Sequence, residues 1–232
     1  MMHQSINKKK LYFYLLILLF LSTIFNFNLI NVLKNINLIK SIEIEGISNK
    51  EQNLLRKELQ IFFDKNIFFI KKNEIIYVLN QFNFLKDFNI QKVFPSKLII
   101  SAEKTKFLAS TFIKGKKFYI GDNEKFTPVV ETEKEKNLPV VFGKFSVKEF
   151  LELQKILLKQ KIDLNKVEKY FYHMSKRWDL QKNNGLIIML PSQNISDSLK
   201  IYNKLKNNNK LNSAKIVDLR ISERIVLDYE KN

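Results

Sequence analysis

The sequence predicts an α+β chain: an N-terminal transmembrane helix, a β-α-α-β-β unit, then a mainly antiparallel β-domain with two helices. Three observations lead there. Leu11 to Phe25, LYFYLLILLFLSTIF, carries no charge, glycine or proline. Ser41-Ile42-Glu43-Ile44-Glu45 alternates strictly and is followed by apolar residues at helical spacing. Beyond residue 107, short strand patterns recur around an Asn184-Gly185 hairpin signal.

As a helix, the apolar run spans only about 22 Å, short of a hydrocarbon core of roughly 30 Å. Continued to Leu33 it reaches about 35 Å, enough to cross a bilayer with some tilt. Asn26, Asn28 and Asn31 gather at its far end, where amides meet headgroups or water. A cleavable signal peptide is the competing reading, since Lys8, Lys9 and Lys10 make an acceptable n-region. Cleavage needs small residues at A-x-A-like spacing, and after Leu21 only Ser22 and Thr23 precede bulky Ile, Phe, Asn and Leu. This favours an uncleaved signal anchor over residues 11–33. The lysines then hold a cytoplasmic tail, residues 1–10, and the chain after Leu33 lies outside the cytoplasm.

Residues 34–232 suffice for one large domain or two small ones. Cysteine is absent, which excludes disulfides and thiol chemistry. The net charge of +17 invites a nucleic-acid or acidic-lipid reading. Against it, Arg56, Arg177, Arg220 and Arg224 are the only arginines, and bidentate phosphate readout prefers arginine. Lysine is accompanied by heavy use of Asn, Ile and Phe, the signature of an AT-rich genome setting residue choice.

After the strand at Ser41 to Glu45, with Ile42 and Ile44 inward, Gly46 ends the pairing. Ser48 and Glu51 form an S-x-x-E capping box. The helix it opens presents Leu54, Leu55, Leu59, Phe62 and Phe63 to one face. A second helix runs from about Asn73 to Phe84 on Ile75, Leu79 and Phe82. Strands follow at Phe88 to Phe94 and Leu98 to Glu103, joined at Pro95. Further on, Lys117 to Gly121 is a short strand, Asp122 to Phe126 its polar turn and Glu131 to Asn137 a linker. Ser146 and Glu149 make a second capping box, opening a helix with Val147, Phe150, Leu151, Leu157 and Leu158 on one side. Val167 to Met174, Arg177 to Gln181 and Leu186 to Leu190 read as strands. Asn194 caps a last helix built on Ile195, Leu199, Tyr202 and Leu205. Strands at Ile216 to Ile221 and Ile225 to Tyr229 close the pattern.

The order strand, helix, helix, strand, strand over residues 38–106, just outside an N-terminal anchor, resembles a POTRA domain. FLKDFNIQKVFPSKLIISAE, Phe84 to Glu103, looks like that module's closing hairpin. The second half makes the resemblance specific. Tyr119-Ile120-Gly121-Asp122, Leu138-Pro139 with Gly143, Arg177-Trp178 with Leu180, Asn184-Gly185 leading to Leu190-Pro191, and Val217-Asp218-Leu219-Arg220 occur in that order. In order and approximate spacing they are similar to the FtsQ/DivIB family of bacterial cell-division proteins. Two positions depart from the family pattern: Lys106 stands where proline is frequent, and Gly121-Asp122 replaces Ile-Asp.

The resemblance implies a β-domain at residues 107–229 that binds the division partners FtsB and FtsL through its C-terminal strands. It also implies an inner-membrane protein, single-pass, with periplasmic domains and enrichment at the division septum. The residues alone make the strand Ile225 to Tyr229 a candidate for accepting a partner strand, provided it lies at a sheet edge. The candidate partner-binding set is Val217, Asp218, Leu219, Arg220, Ile225, Leu227 and Tyr229. Asp218 and Arg220 project to one side of their strand, either as a structural ion pair or toward a partner.

Catalysis has little to draw on. His3 is in the tail and His173 stands alone within Tyr170-Phe171-Tyr172-His173. No Walker loop, G-x-S-x-G or H-E-x-x-H occurs, and no carboxylates fall in a metal or acid/base pattern. The expectation is no enzyme, no cofactor, no metal, no small-molecule substrate and no nucleic acid. Trp178 reads as core. Alternatives are a membrane-tethered binder of anionic polymers, or another POTRA-containing envelope assembly factor; an outer-membrane factor of that kind would carry a barrel of many amphipathic strands.

Overall fold

The apolar run forms helix α1, Lys8–Ile24, in a computed structural model that describes residues 8–24, 36–129, 137–207, 214–221 and 224–229. Every apolar side chain from Leu11 to Leu21 is exposed along it. The Ser22 hydroxyl turns back to the Leu19 carbonyl at 2.9 Å, which satisfies it within the helix. At 17 residues α1 measures about 26 Å, and among the described residues no helix is long and apolar enough to cross a membrane. The continuation to Leu33 lies outside the described residues.

The chain divides into two units, Met1–Lys104 and Thr105–Asn232. After α1, the first unit runs β1 (Ser41–Glu45), α2 (Asn49–Leu59), a 3-10 turn (Gln60–Phe62), α3 (Lys72–Leu79), β2 (Leu85–Val93) and β3 (Lys97–Lys104). Its sheet order is β1-β3-β2, with β1 parallel and β2 antiparallel to β3. Ile42 and Ile44 point inward with Leu98 and Ile100, and Leu55, Leu59, Phe62, Ile75 and Leu79 cover them. Gly46 sits at φ +86°, with the Ala102 carbonyl oxygen 2.2 Å from where a Cβ would stand, so the chain leaves β1 through a space only glycine fits.

Glu51 has two tasks. One oxygen accepts the Ser48 amide at 3.1 Å and the Ser48 hydroxyl at 2.7 Å, completing the capping box. The other takes the ammonium of Lys104, at the end of β3. Burial raises the Glu51 carboxyl, but the bonds from Lys104 and Ser48 prevail and hold it below its ordinary value.

Two details of this unit differ from the sequence reading. Leu54 is exposed because α2 turns Leu55 and Leu59 inward, which puts Leu54 outside the buried stripe. Helix α3 stops at Leu79, not Phe84, where Asn80 and Asn83 are weak helix formers. Phe82 and Phe84 are partly buried all the same, as an edge-to-face pair 5.5 Å apart.

Among the described residues the second unit is built on one nine-stranded sheet. Its strands are β4 (Phe107–Ile113), β5 (Lys116–Gly121), β6 (Phe126–Pro128), β7 (Val140–Phe142), β8 (Val167–Tyr172), β9 (Trp178–Lys182), β10 (Ile187–Met189), β11 (Ala214–Asp218) and β12 (Val226–Tyr229). They lie in the order β12-β11-β10-β9-β8-β7-β4-β5-β6. Helix α4 (Val147–Lys159) carries the chain from β7 to β8, and α5 (Ile195–Asn207) from β10 to β11. Both joined pairs are parallel, as helical crossovers require; β4 and β7 are parallel as well. The sheet is therefore mixed, with its parallel pairs created by the two helices and by the return of the chain to β4.

Strand β4 has no counterpart in the sequence reading. Its residues FLASTFI do not alternate because most of the strand is covered on both faces, between β5 and β7. Its hairpin to β5 turns on Lys114 and Gly115, both at positive φ, the geometry of a two-residue turn. Asp122 then ties the start of β4 down, accepting from Thr105 Oγ1 at 2.7 Å and from the Lys106 backbone N–H at 3.0 Å. Proline at 106 would lack that donor.

The core of this unit is aromatic. Trp178 is buried, with Phe145 at 5.8 Å edge-on, Phe150 at 6.1 Å and Tyr172 at 4.6 Å. On α4, Val147, Phe150, Leu153 and Leu157 face the sheet while Leu158 is exposed, contrary to the side assigned from its spacing. The Ser146 capping box forms, and Glu149 also accepts the Tyr172 hydroxyl at 2.6 Å. Strand β8 ends at Tyr172, short of Met174, because the His173 amide bonds the Arg177 carbonyl at 3.0 Å and turns the chain. Linker residues 130–136 lie outside the description.

Candidate partner-binding edge

Residues at the β11–β12 end of the sheet were the ones singled out, and their placement follows from strand periodicity. In β11, Val217 is fully buried, and Leu219 just beyond it is buried as well. The Leu219 amide continues the ladder to the Met189 carbonyl at 2.9 Å. Asp218 and Arg220 project away from that core and pair with each other. The Asp218 carboxyl lies below its ordinary value, chiefly because Arg220 donates to it, against a smaller opposing effect of burial. Arg220 is raised by the same bond.

Strand β12 pairs antiparallel to β11, with Val217 opposite Leu227 and Asp218 opposite Val226. Ile225 and Leu227 pack partly on the core, while Val226 and Tyr229 are exposed. Among the described residues β12 pairs with β11 only, so it is an edge strand and one row of its backbone groups faces away from the sheet. Ile221, expected to extend β11 inward, is exposed; β11 ends at Asp218.

Beside the edge, Arg220 and Arg177 line an open cleft with Ser175, Gln193, Asn194 and Ser198. Arg177 and Asp179 come from one face of the β9 segment, two residues apart, and the pair was not picked out from the sequence. Their guanidinium and carboxylate lie 4.0 Å apart, and His173 reaches the same Asp179 oxygen at 2.6 Å. Asp179 is buried, and alternation at Arg177-Trp178-Asp179 was the available signal. No group of three or more His, Cys, Asp or Glu side chains able to hold a metal occurs among the described residues.

A family model for the C-terminal part of the cell division protein FtsQ/DivIB matches residues 115–220, from the β4–β5 hairpin to Arg220. Cell division protein FtsQ of Rickettsia bellii is 26% identical over 192 residues, covering 82% of this chain and 72% of that protein. The FtsQ of Bradyrhizobium diazoefficiens is 27% identical over 154 residues, covering 64% of this chain and 44% of that protein. Residues 115–220 are thus similar to the C-terminal region of the FtsQ/DivIB family of cell-division proteins. The chain's match spans less than half the length of the Bradyrhizobium FtsQ. The major extracytoplasmic domain of the trans isomer of DivIB from Geobacillus stearothermophilus superposes with a TM-score of 0.33 at 15% identity, covering 47% of this chain and 98% of that domain. Within the FtsQ/DivIB match, Val217 to Arg220 lie at the very end, and β12 lies beyond it.

Proposed function

We propose that this chain is an FtsQ/DivIB protein, a non-enzymatic scaffold of the division machinery, anchored in the inner membrane by residues 11–33 and acting through periplasmic protein contacts at the septum. In this reading residues 38–106 are a POTRA domain and residues 107–229 the β-domain, and the scaffold links early and late division proteins. The observation that carries it is the open edge of β12. A partner strand added there gains two backbone hydrogen bonds for every second residue, each contributing about 0.5–1.5 kcal/mol net. Val226 and Tyr229 offer side-chain contact, and Val217, Leu219, Ile225 and Leu227 hold the edge to the core. Arg220, kept in place by Asp218, offers a cation beside the edge. The partners in this reading are FtsB and FtsL. Confinement of all three to one membrane plane raises effective concentration, so modest contacts suffice.

Removing residues 225–232, or introducing Leu227→Pro, abolishes co-purification of FtsB and FtsL while thermal unfolding of the variant stays cooperative. Undiminished co-purification sinks strand addition. A fluorescent fusion of the full chain gathers at midcell in dividing cells, and uniform membrane fluorescence counts against the scaffold role.

A further inference from the structure

One rim of the first unit combines exposed aromatic rings with a cluster of lysines. Phe68, Phe69 and Phe94 are 57%, 59% and 53% exposed, values far from those of packed phenylalanine. Phe68 and Phe94 stack on each other with centroids 4.5 Å apart, bringing the loop before α3 to the tip of the β2–β3 hairpin. Around them Lys40, Lys65, Lys71 and Lys72 are exposed, and over residues 61–73 the only acid is Asp64. At the other end of the same strands, Glu45, Asp87 and Glu103 border one hollow. Lysine and phenylalanine thus gather at one end of the strands, while carboxylates, with Lys86 paired to Glu103, border the other.

This rim is also where the chain enters the unit. The Asn66 side-chain amide donates to the Ile36 carbonyl at 2.6 Å, the Ile67 amide to the Asn37 carbonyl at 3.0 Å, and Leu38 bridges to Asn66. Asn66 Oδ1 accepts the Phe68 amide at 2.8 Å, so one buried side chain both fastens the incoming segment and shapes the aromatic loop. From Leu33, the end of the expected anchor, to Ile36 is three residue steps, at most about 11 Å of extended chain.

We propose that this rim beds on the surface of a bilayer carrying anionic headgroups, with Phe68, Phe69 and Phe94 at the headgroup level and the lysines against lipid phosphates. The inference rests on the reading of residues 11–33 as a membrane anchor. Aromatic rings concentrate at membrane interfaces, lysines near an anionic surface add attraction, and a short tether keeps the rim in reach of it. Seating the rim fixes the tilt of the unit on the membrane, with the acidic end pointing away.

The absence of cysteine makes the test direct. Nitroxide labels are placed in the full chain by Phe69→Cys, Glu45→Cys or Leu18→Cys, in vesicles of phosphatidylcholine with or without phosphatidylglycerol. A label from Phe69→Cys is expected to lose accessibility to a water-soluble nickel chelate several-fold relative to one from Glu45→Cys, only with phosphatidylglycerol present. Adding Lys71→Glu and Lys72→Glu restores it. Equal chelate accessibility at the two positions, with the Leu18→Cys label in hydrocarbon, overturns the docking and leaves the anchor standing. A Leu18→Cys label open to the chelate overturns the anchor itself. Dipolar broadening between Phe69→Cys labels assigns the rim to a second copy, and protection in native membranes but not in these vesicles assigns it to a protein; either overturns the proposal.

Discussion

Arg220 closes on Asp218 with three donors: Nη2 lies 2.5 Å from Oδ2, while Nε at 2.8 Å and the Arg220 backbone amide at 2.9 Å share Oδ1. The carboxylate therefore serves as a turn acceptor as well as an ion-pair partner, exactly where β11 ends. Asp218→Asn keeps an acceptor for the backbone amide and loses only the charge, so urea unfolding is expected to show a loss of about 0.5 kcal/mol, typical of a partly exposed pair. Asp218→Ala loses the acceptor too and is expected to cost about 1–2 kcal/mol. Equal effects of the two would show that the amide bond contributes nothing.

Tyr170 and Tyr172 lie in one strand and are both shifted to about 12, for different reasons. Burial raises Tyr170, whereas the hydrogen bond to Glu149 raises Tyr172. Glu149→Gln is expected to return Tyr172 toward its ordinary value and leave Tyr170 where it is. Isotope-labelled tyrosine NMR across an alkaline titration resolves the two phenols, and movement of both together would contradict the separate causes.

Glu51 links acid stability to the first unit. Its folded pKa lies below the ordinary value of 4.5, so the stability it contributes is fully present above that value and is lost as pH falls through the folded pKa. Glu51→Gln is expected to cost about 2 kcal/mol at neutral pH, since the Lys104 ammonium loses its partner, and to flatten the acid limb of a stability profile. Chemical unfolding of both proteins between neutral pH and about pH 2 makes the comparison; parallel profiles would remove Glu51 from the acid transition.

Local chemistry was the legible part of this chain. The two S-x-x-E boxes and the alternation of Ser41 to Glu45 depend on neighbours a few residues away, the core position of Trp178 on its own size and apolarity, and each is found in place. What depends on partners across the sheet was hidden. Strand β4 lost its period because consecutive residues are buried on both of its faces, and Leu54 and Leu158 were assigned inward from spacing that does not fix where a helix stripe begins. The parallel pairs beside α4 and α5 follow from where helices cross, which a list of strands does not convey. At the candidate edge, sequence placed Asp218 and Arg220 on one side and left open whether they pair. The cluster of Arg177, Asp179 and His173 joins one residue of β9 to two of the β8–β9 connection, and strand alternation could relate only the first two.

The parallel pairing of β1 with β3 sets the order in which the first unit is completed. Ser41 meets Lys97 and Glu45 meets Ser101, so the earliest strand made waits beside empty space until the latest arrives. A growing chain halted at Val93 has both helices and β2 but no central strand, and its two outer strands have no hydrogen-bonded strand between them. A ribosome-stalled series lengthened residue by residue through Lys104 would therefore pass from protease-sensitive to protease-resistant in a single step.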